Sequence, residues 1–167
     1  MFLSVCAFSL MDLIVKWSVD YPIGQVLFFR GFFGIIFYLF IIPKERFHNF
    51  YKTKRPGLHA LRCGSGLIAL IAIFIALRQL PLATVVSISF AAPIFTTILS
   101  IFLLNEKVGI FRWLAVIIGF FGILIITEPG ITELNIYYIF PIIFCLGLSY
   151  VAITIRQLST TEPVWLI

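Results

Sequence analysis

The sequence predicts an all-α fold, a polytopic bundle of helices in a membrane, on three observations. Hydrophobic residues make up 62% of the chain and charged residues only 11%, whereas a soluble domain carries about 25% charge. The chain divides into six apolar segments, 2–19, 23–42, 61–80, 82–104, 109–127 and 136–155, each near or at spanning length. The basic residues gather in alternate gaps between those segments. A chain this apolar cannot bury its surface in one water-soluble core.

The segments must be helices, because lipid offers no partner to an unpaired backbone amide. A membrane barrel would need alternating segments of about ten residues, and the sequence has none. The first segment could pass for a signal peptide. It lacks a basic start and a small-residue cleavage site and carries Asp12 and Lys16, so it is predicted to span, clipped at its start. The second holds Arg30 within Phe28-Phe29-Arg30-Gly31, and the third follows the longest basic gap. The fourth carries no charge, and its 23 residues cover roughly 35 Å as a helix. A tight polar turn, Asn105-Glu106-Lys107, joins it to the fifth, where Arg112 near the start is the one charge, so this pair is predicted as a helical hairpin. The sixth ends just before Arg156. Trp17, Trp113, Tyr137, Tyr138 and Trp165 fall at predicted helix ends, as an interfacial aromatic belt requires.

Charge sets the predicted topology. Lys44, Arg46, Lys52, Lys54, Arg55, Arg62, Lys107, Arg112 and Arg156, nine of the twelve basic residues, fall on one face. The other face has Lys16 and Arg78 with Asp20, Glu128 and Glu133. The basic face, and with it the N-terminus, is predicted to be cytoplasmic. This placement also rules against nucleic acid as the reason for the net charge of +5. Cys6, Cys63 and Cys145 show no metal-ligand spacing and are expected to be small buried residues. His48 and His59 pair with no cysteine or acid at ligand spacing. Phosphate loops and the HExxH pattern are missing, so neither an enzyme nor a cofactor is expected.

The charges inside the segments are the candidate functional residues. A charge at mid-bilayer costs roughly 2.5–3.5 kcal/mol on insertion scales and normally faces protein or water. Asp12 and Arg30 are each nine residues from Tyr21, the centre of the intervening turn, so both lie at similar depth. Lys16 is one turn from Asp12 on the same face. The cluster either lines a substrate path or forms a structural ion pair with Lys16 snorkelling outward. In the fourth segment Pro93 removes a hydrogen bond from the carbonyl of Ser89 and kinks the helix. Ser89, Pro93, Thr96 and Ser100 share one face, which either lines a cavity or binds neighbouring helices and its own backbone. Pairs of small residues, Gly31 and Gly34, Gly64 and Gly66, Ala72 and Ala76, Gly119 and Gly122, are expected to give close packing.

A faint repeat sets Ser9, Lys16 and Pro22 against Ser149, Arg156 and Pro163, at offsets of 140, 140 and 141. It makes the sixth helix the start of a second five-helix unit, inverted relative to the first. The chain stops at Ile167 as a new apolar run begins, so a fragment or truncated product is expected, a complete six-helix protein being the alternative.

The stretch 80–130 resembles the EamA family of the drug/metabolite transporter superfamily. The matching features are LPLATVVSISFAAPIF, the Leu104-Asn105-Glu106-Lys107 turn, Phe111-Arg112-Trp113, Gly119-Phe120-Phe121-Gly122 and Glu128-Pro129, with Phe29-Arg30-Gly31 upstream. Within that family Asp12-x-x-x-Lys16, Phe29-Arg30 and His59-Ala60-Leu61-Arg62 resemble the bacterial S-adenosylmethionine uptake transporters. The resemblance implies ten helices in two inverted five-helix repeats in a bacterial inner membrane. Residues 1–130 would be one full repeat, and 131–167 the truncated start of the second. It further implies alternating-access transport of small organic solutes such as amino acids, nucleotide derivatives or drugs. Asp12, Lys16, Arg30, Ser89, Pro93 and Thr96 would line the substrate path. The missing half of the cavity would come from a second repeat in cis or from a partner chain. Two rival readings are a half-size protein acting as a dual-topology dimer, which the charge bias opposes, and a non-transporting membrane subunit.

Overall fold

A computed structural model describes residues 2–18, 20–41, 53, 55–105, 109–127 and 136–163. These residues form α1 (Phe2–Trp17), α2 (Ile23–Ile41), α3 (Pro56–Gln79), α4 (Leu82–Ser89), α5 (Ala92–Leu104), α6 (Ile110–Thr127) and α7 (Ile139–Ser159). A single 3-10 turn, Ile136–Tyr138, leads into α7, and there is no strand among the described residues. The fold is therefore an all-α polytopic membrane bundle. Four stretches are long and apolar enough to cross a membrane: Ile23–Phe40, Pro56–Gln79, Leu82–Leu104 and Ile136–Ser159. The apolar helix Ile110–Gly122 is shorter, and α1 has 16 residues.

Boundaries depart from the apolar pattern where polar residues suit a helix. α3 begins at Pro56, five residues before the apolar run, because proline at the first position loses no hydrogen bond there. It ends where Leu80, held extended before Pro81, has φ −116° and ψ 158°. α5 ends on Asn105, whose left-handed backbone (φ 51°) sends its N–H to the carbonyl of Ser100. The rest of that polar turn, Glu106 and Lys107, lies outside the described residues, as do most of the basic gap 43–54 and Trp165.

α3 is the central element. Ile73, Phe74, Ala76 and Leu77 form the core with Val15 of α1 and Val85 of α4, and Tyr137, Tyr138, Phe140 and Phe144 close over it. α7 runs antiparallel along α3 and continues against α5. It approaches α3 closely at Gly147, where an added Cβ would lie 2.8 Å from Ala69 Cβ and 3.0 Å from the carbonyl oxygen of Ser65. Of the small-residue pairs expected above, Ala72 and Ala76 are buried as expected, and the glycine pairs are corrected. A Cβ at Gly31, Gly34, Gly64 or Gly122 would meet nothing within 4 Å, although Gly66 faces Val151 and Gly119 faces Ile94. Shared small-residue spacing does not say which face meets a neighbour.

α2 and α6 lie outermost. Phe28 stacks on Phe32 and Phe29 on Phe33, ring centroids 6.1 and 6.3 Å apart, and all four rings are exposed, as are Phe111, Phe120 and Phe121 of α6. An apolar belt of this extent marks a surface made for lipid or for further helices. Cys6 and Cys63 are also exposed, so of the three cysteines expected to be buried only Cys145 is.

Candidate functional site

The broken fourth segment sets out the site. Pro93 has no N–H, and the helix breaks at Phe90 and Ala91, where the amide of Phe90 is shared between the carbonyls of Val86 and Ser87 and that of Ala91 turns to the carbonyl of Ile88 at 2.9 Å. Backbone carbonyls around the break meet α7, and of these Pro93 leaves that of Ser89 without its helical partner. The Cys145 thiol lies 3.4 Å from Ile88 O and 3.8 Å from Ser89 O. Ser149 Oγ lies 2.9 Å from Ala92 O. Both side chains are completely buried, and the Ser149 hydroxyl is shared with Cys145 O at 2.7 Å, so they add donors to backbone groups that lipid could not serve.

On one side of the break is a cavity of about 480 Å³ between α1, α2, α3, α4 and α7. Asp12 of α1, Arg30 of α2 and Ser89 of α4 line it, in walls otherwise apolar. Asp12 and Arg30 thus bring opposite charges into one space. The Arg30 guanidinium carbon lies 5.8 Å from the ring centroid of Phe74, a buried face that holds the cation by its quadrupole. Leu148 and Val151 of α7 complete the inner wall.

On the other side is a cavity of about 530 Å³, lined by Pro93, Thr96, Thr97 and Ser100 of α5 and by Arg112 and Arg156. Leu148 and Val151 border this one too, so one strip of α7 separates the two spaces. Hydroxyl protons along α4 and α5 are engaged by their own helix. Ser89 donates to Val85 O at 2.8 Å, Thr96 to Ala92 O at 2.9 Å and Thr97 to Pro93 O at 2.9 Å. Their remaining lone pairs can only accept, so the polar wall suits a solute that donates hydrogen bonds.

Of the sequence candidates, Asp12, Arg30 and Ser89 thus share the first cavity, and Pro93 and Thr96 share the second. Lys16 is not among the residues lining either. Its ammonium donates to the carbonyl of Leu80 at 2.7 Å, placing a cation on the C-terminus of α3. Arg78 reciprocates from α3, donating to the carbonyls of Ser18 and Tyr21 at 3.0 and 2.5 Å. Among the described residues no cluster of three or more acids, histidines or cysteines could hold a metal.

A second polar cluster joins residues that are remote in sequence. His59 near the start of α3 meets Glu162, just past α7, with Nε2 and Oε2 2.5 Å apart. Sequence spacing could not show this pair, 103 residues apart. The available signal was an acid next to Pro163 on the face where basic residues predominate.

Residues 1–128 match the model of the EamA-like transporter family. The chain is 29% identical over 162 residues to a protein of Rickettsia prowazekii named S-adenosylmethionine uptake transporter, covering 96% of this chain and 54% of that protein. A protein of the same name from Rickettsia bellii is 37% identical over 112 residues, 66% of this chain and 38% of that one. A riboflavin transporter of Vibrio cholerae is 30% identical over 112 residues, again 66% and 38%. The chain spans about half the length of the curated relatives that it matches most extensively. No solved structure matches it.

Proposed function

This chain belongs to the EamA-like transporter family, and from that premise we propose that it forms the N-terminal half of a carrier for a small zwitterionic metabolite of the S-adenosylmethionine type. The family is one of transporters rather than enzymes, and the helices are those of a multi-pass bacterial membrane protein. The observation that carries the reading is that Asp12 and Arg30, opposite charges inside two apolar helices, line one cavity. Its volume of about 480 Å³ falls within the usual range for small-molecule sites. Arg30 would take the solute's carboxylate through its planar fork of donors. Asp12 would face the solute's cationic centre, and the lone pair on Ser89 would accept from an amino group. The apolar walls and the exposed ring of Phe90, which also borders the cavity, would take a flat base.

In this reading the N-terminus and the basic gap face the cytoplasm, as the charge bias indicates. Pro93 and Thr96 line the route past the break toward Arg112 and Arg156, and Lys16 holds the outer end of α1 against α3. The remaining cavity wall comes from a second repeat, in cis or on a partner chain. Transport proceeds by alternating access, one bundle rocking against its inverted mate.

The test is uptake of labelled S-adenosylmethionine by proteoliposomes holding the full-length protein, wild type beside Arg30→Ala and Asp12→Asn. Either substitution is expected to lower uptake at least tenfold. Wild-type uptake in Arg30→Ala would remove Arg30 from the site, and no wild-type uptake would remove this substrate.

A further inference from the structure

Glu162 is an acid buried at the basic end of the bundle, its side chain 2% exposed. An ionised carboxylate there is costly without partners, and among the described residues three donors that converge on it are these. His59 Nε2 meets Oε2, Thr53 Oγ1 donates to Oε1 at 2.6 Å, and the backbone N–H of Arg55 approaches Oε1 at 3.3 Å. All three lie at or just before the first turn of α3, whereas Glu162 follows α7 by three residues. Deeper in the bundle Gly147 closes on Ala69 and Ser65. Beside it Cys145 and Ser149 bond the carbonyls of the α4–α5 break. The helix that opens the second repeat is therefore fixed to the first at several depths.

We infer that Glu162 is a positioning residue, a clamp that binds α7 to α3 as one moving body with the N-terminal repeat. The mechanical boundary of the carrier then falls after Pro163, not before α7. The clamp acts on transport through Phe144, Leu148 and Val151, which α7 contributes to the wall facing Asp12 and Arg30. The inference rests on the carrier reading for its role in transport, and the rival it excludes is a gate in which this same contact opens in every cycle.

Two measurements on the full-length protein separate these. For the first, Cys6, Cys63 and Cys145 are replaced by serine, and His59→Cys with Glu162→Cys is tethered by a short bis-methanethiosulfonate. Untethered, the double variant is expected to raise KM for S-adenosylmethionine about tenfold with Vmax within about twofold, and tethering is expected to return KM toward the parent. Uptake abolished by the tether and restored by reductant would establish a gate and overturn the clamp, as would an unchanged KM without the tether. The second measurement needs no flux. Spin labels on the native, exposed Cys63 of α3 and on Ser159→Cys at the end of α7, with Cys6 and Cys145 made serine, report the α3–α7 separation. One narrow distance is expected with and without substrate, broadened by Glu162→Ala and narrowed again in Glu162→Gln, which keeps an acceptor for Thr53 and Arg55. A second population in the parent protein, or no broadening in Glu162→Ala, sinks the inference. Failure of the parent to take up S-adenosylmethionine bears on the substrate alone and leaves the distance measurement decisive.

Discussion

Cys145 on α7 holds its thiol 3.4 Å from the carbonyl oxygen of Ile88, where α4 stops. A thiol is a weak donor, but here it reaches two carbonyls of the break, that of Ile88, which also accepts from the Ala91 N–H, and at 3.8 Å that of Ser89, which Pro93 leaves without a helical partner, in a place water does not reach. Cys145→Ala is expected to cost about 1 kcal/mol, the net worth of one hydrogen bond. Cys145→Ser keeps a donor and should lose less. The thermal midpoint of the detergent-purified protein measures both, and equal midpoints for the two variants would deny the thiol this role.

The α3–α7 crossing at Gly147 has no room for a side chain. Gly147→Ala is expected to destabilise by about 1–3 kcal/mol through overpacking, because Ser65 O and Ala69 Cβ both stand within 3.0 Å of the new methyl group. Ala69→Gly added to it should restore part of the loss. Gly64→Ala on the same helix as Ala69 opens onto space and should be neutral, or stabilising by up to about 1 kcal/mol from helix propensity alone. Melting the three variants together checks the contrast.

These residues also show what the sequence could reveal. Segment lengths, charge-free runs and basic gaps act through the solvent, and lipid constrains them so strongly that the helices were legible from composition and spacing. Pro93 was legible because its missing N–H acts locally, and equal arms about Tyr21 gave a reason to set Asp12 beside Arg30. Gly147 and the His59–Glu162 contact were not legible. Each depends on which faces of α3 and α7 meet, and helix rotation is fixed by packing between segments some eighty to a hundred residues apart. Lys16 shows the same limit, since one turn from Asp12 was sufficient to send its ammonium to Leu80 instead of the cavity.

Asp12 and Arg30 bring opposite charges into one cavity, so removing one should harm the protein more than removing both. Breaking a pair in a low-dielectric site leaves an uncompensated charge, costing about 3–5 kcal/mol when fully buried and less at a site open to the cavity. Arg30→Gln is expected to accumulate in the membrane less well than Asp12→Asn combined with Arg30→Gln, while neither takes up solute. Membrane-fraction yield and uptake, measured on the same preparations, test this. Single and double variants of equal yield would mean that the two charges are independently solvated.

Pro93→Ala separates shape from stability. The substitution returns an N–H to position 93, lets the carbonyl of Ser89 take a helical partner and makes α4 and α5 one continuous helix. The thermal midpoint should hold or rise, since a backbone bond is gained and alanine favours helix. Uptake should fall about tenfold or more, because the break divides the cavity holding Asp12 from the one leading to Arg112. Straightening the chain also withdraws the carbonyls that Cys145 serves, so Cys145→Ala should cost less in the Pro93→Ala background, a coupling of about 0.5–1 kcal/mol. A continuous helix with undiminished uptake would show that transport does not use the break. Additive midpoints would show that Cys145 stabilises α7 by packing and not through the carbonyls of Ile88 and Ser89.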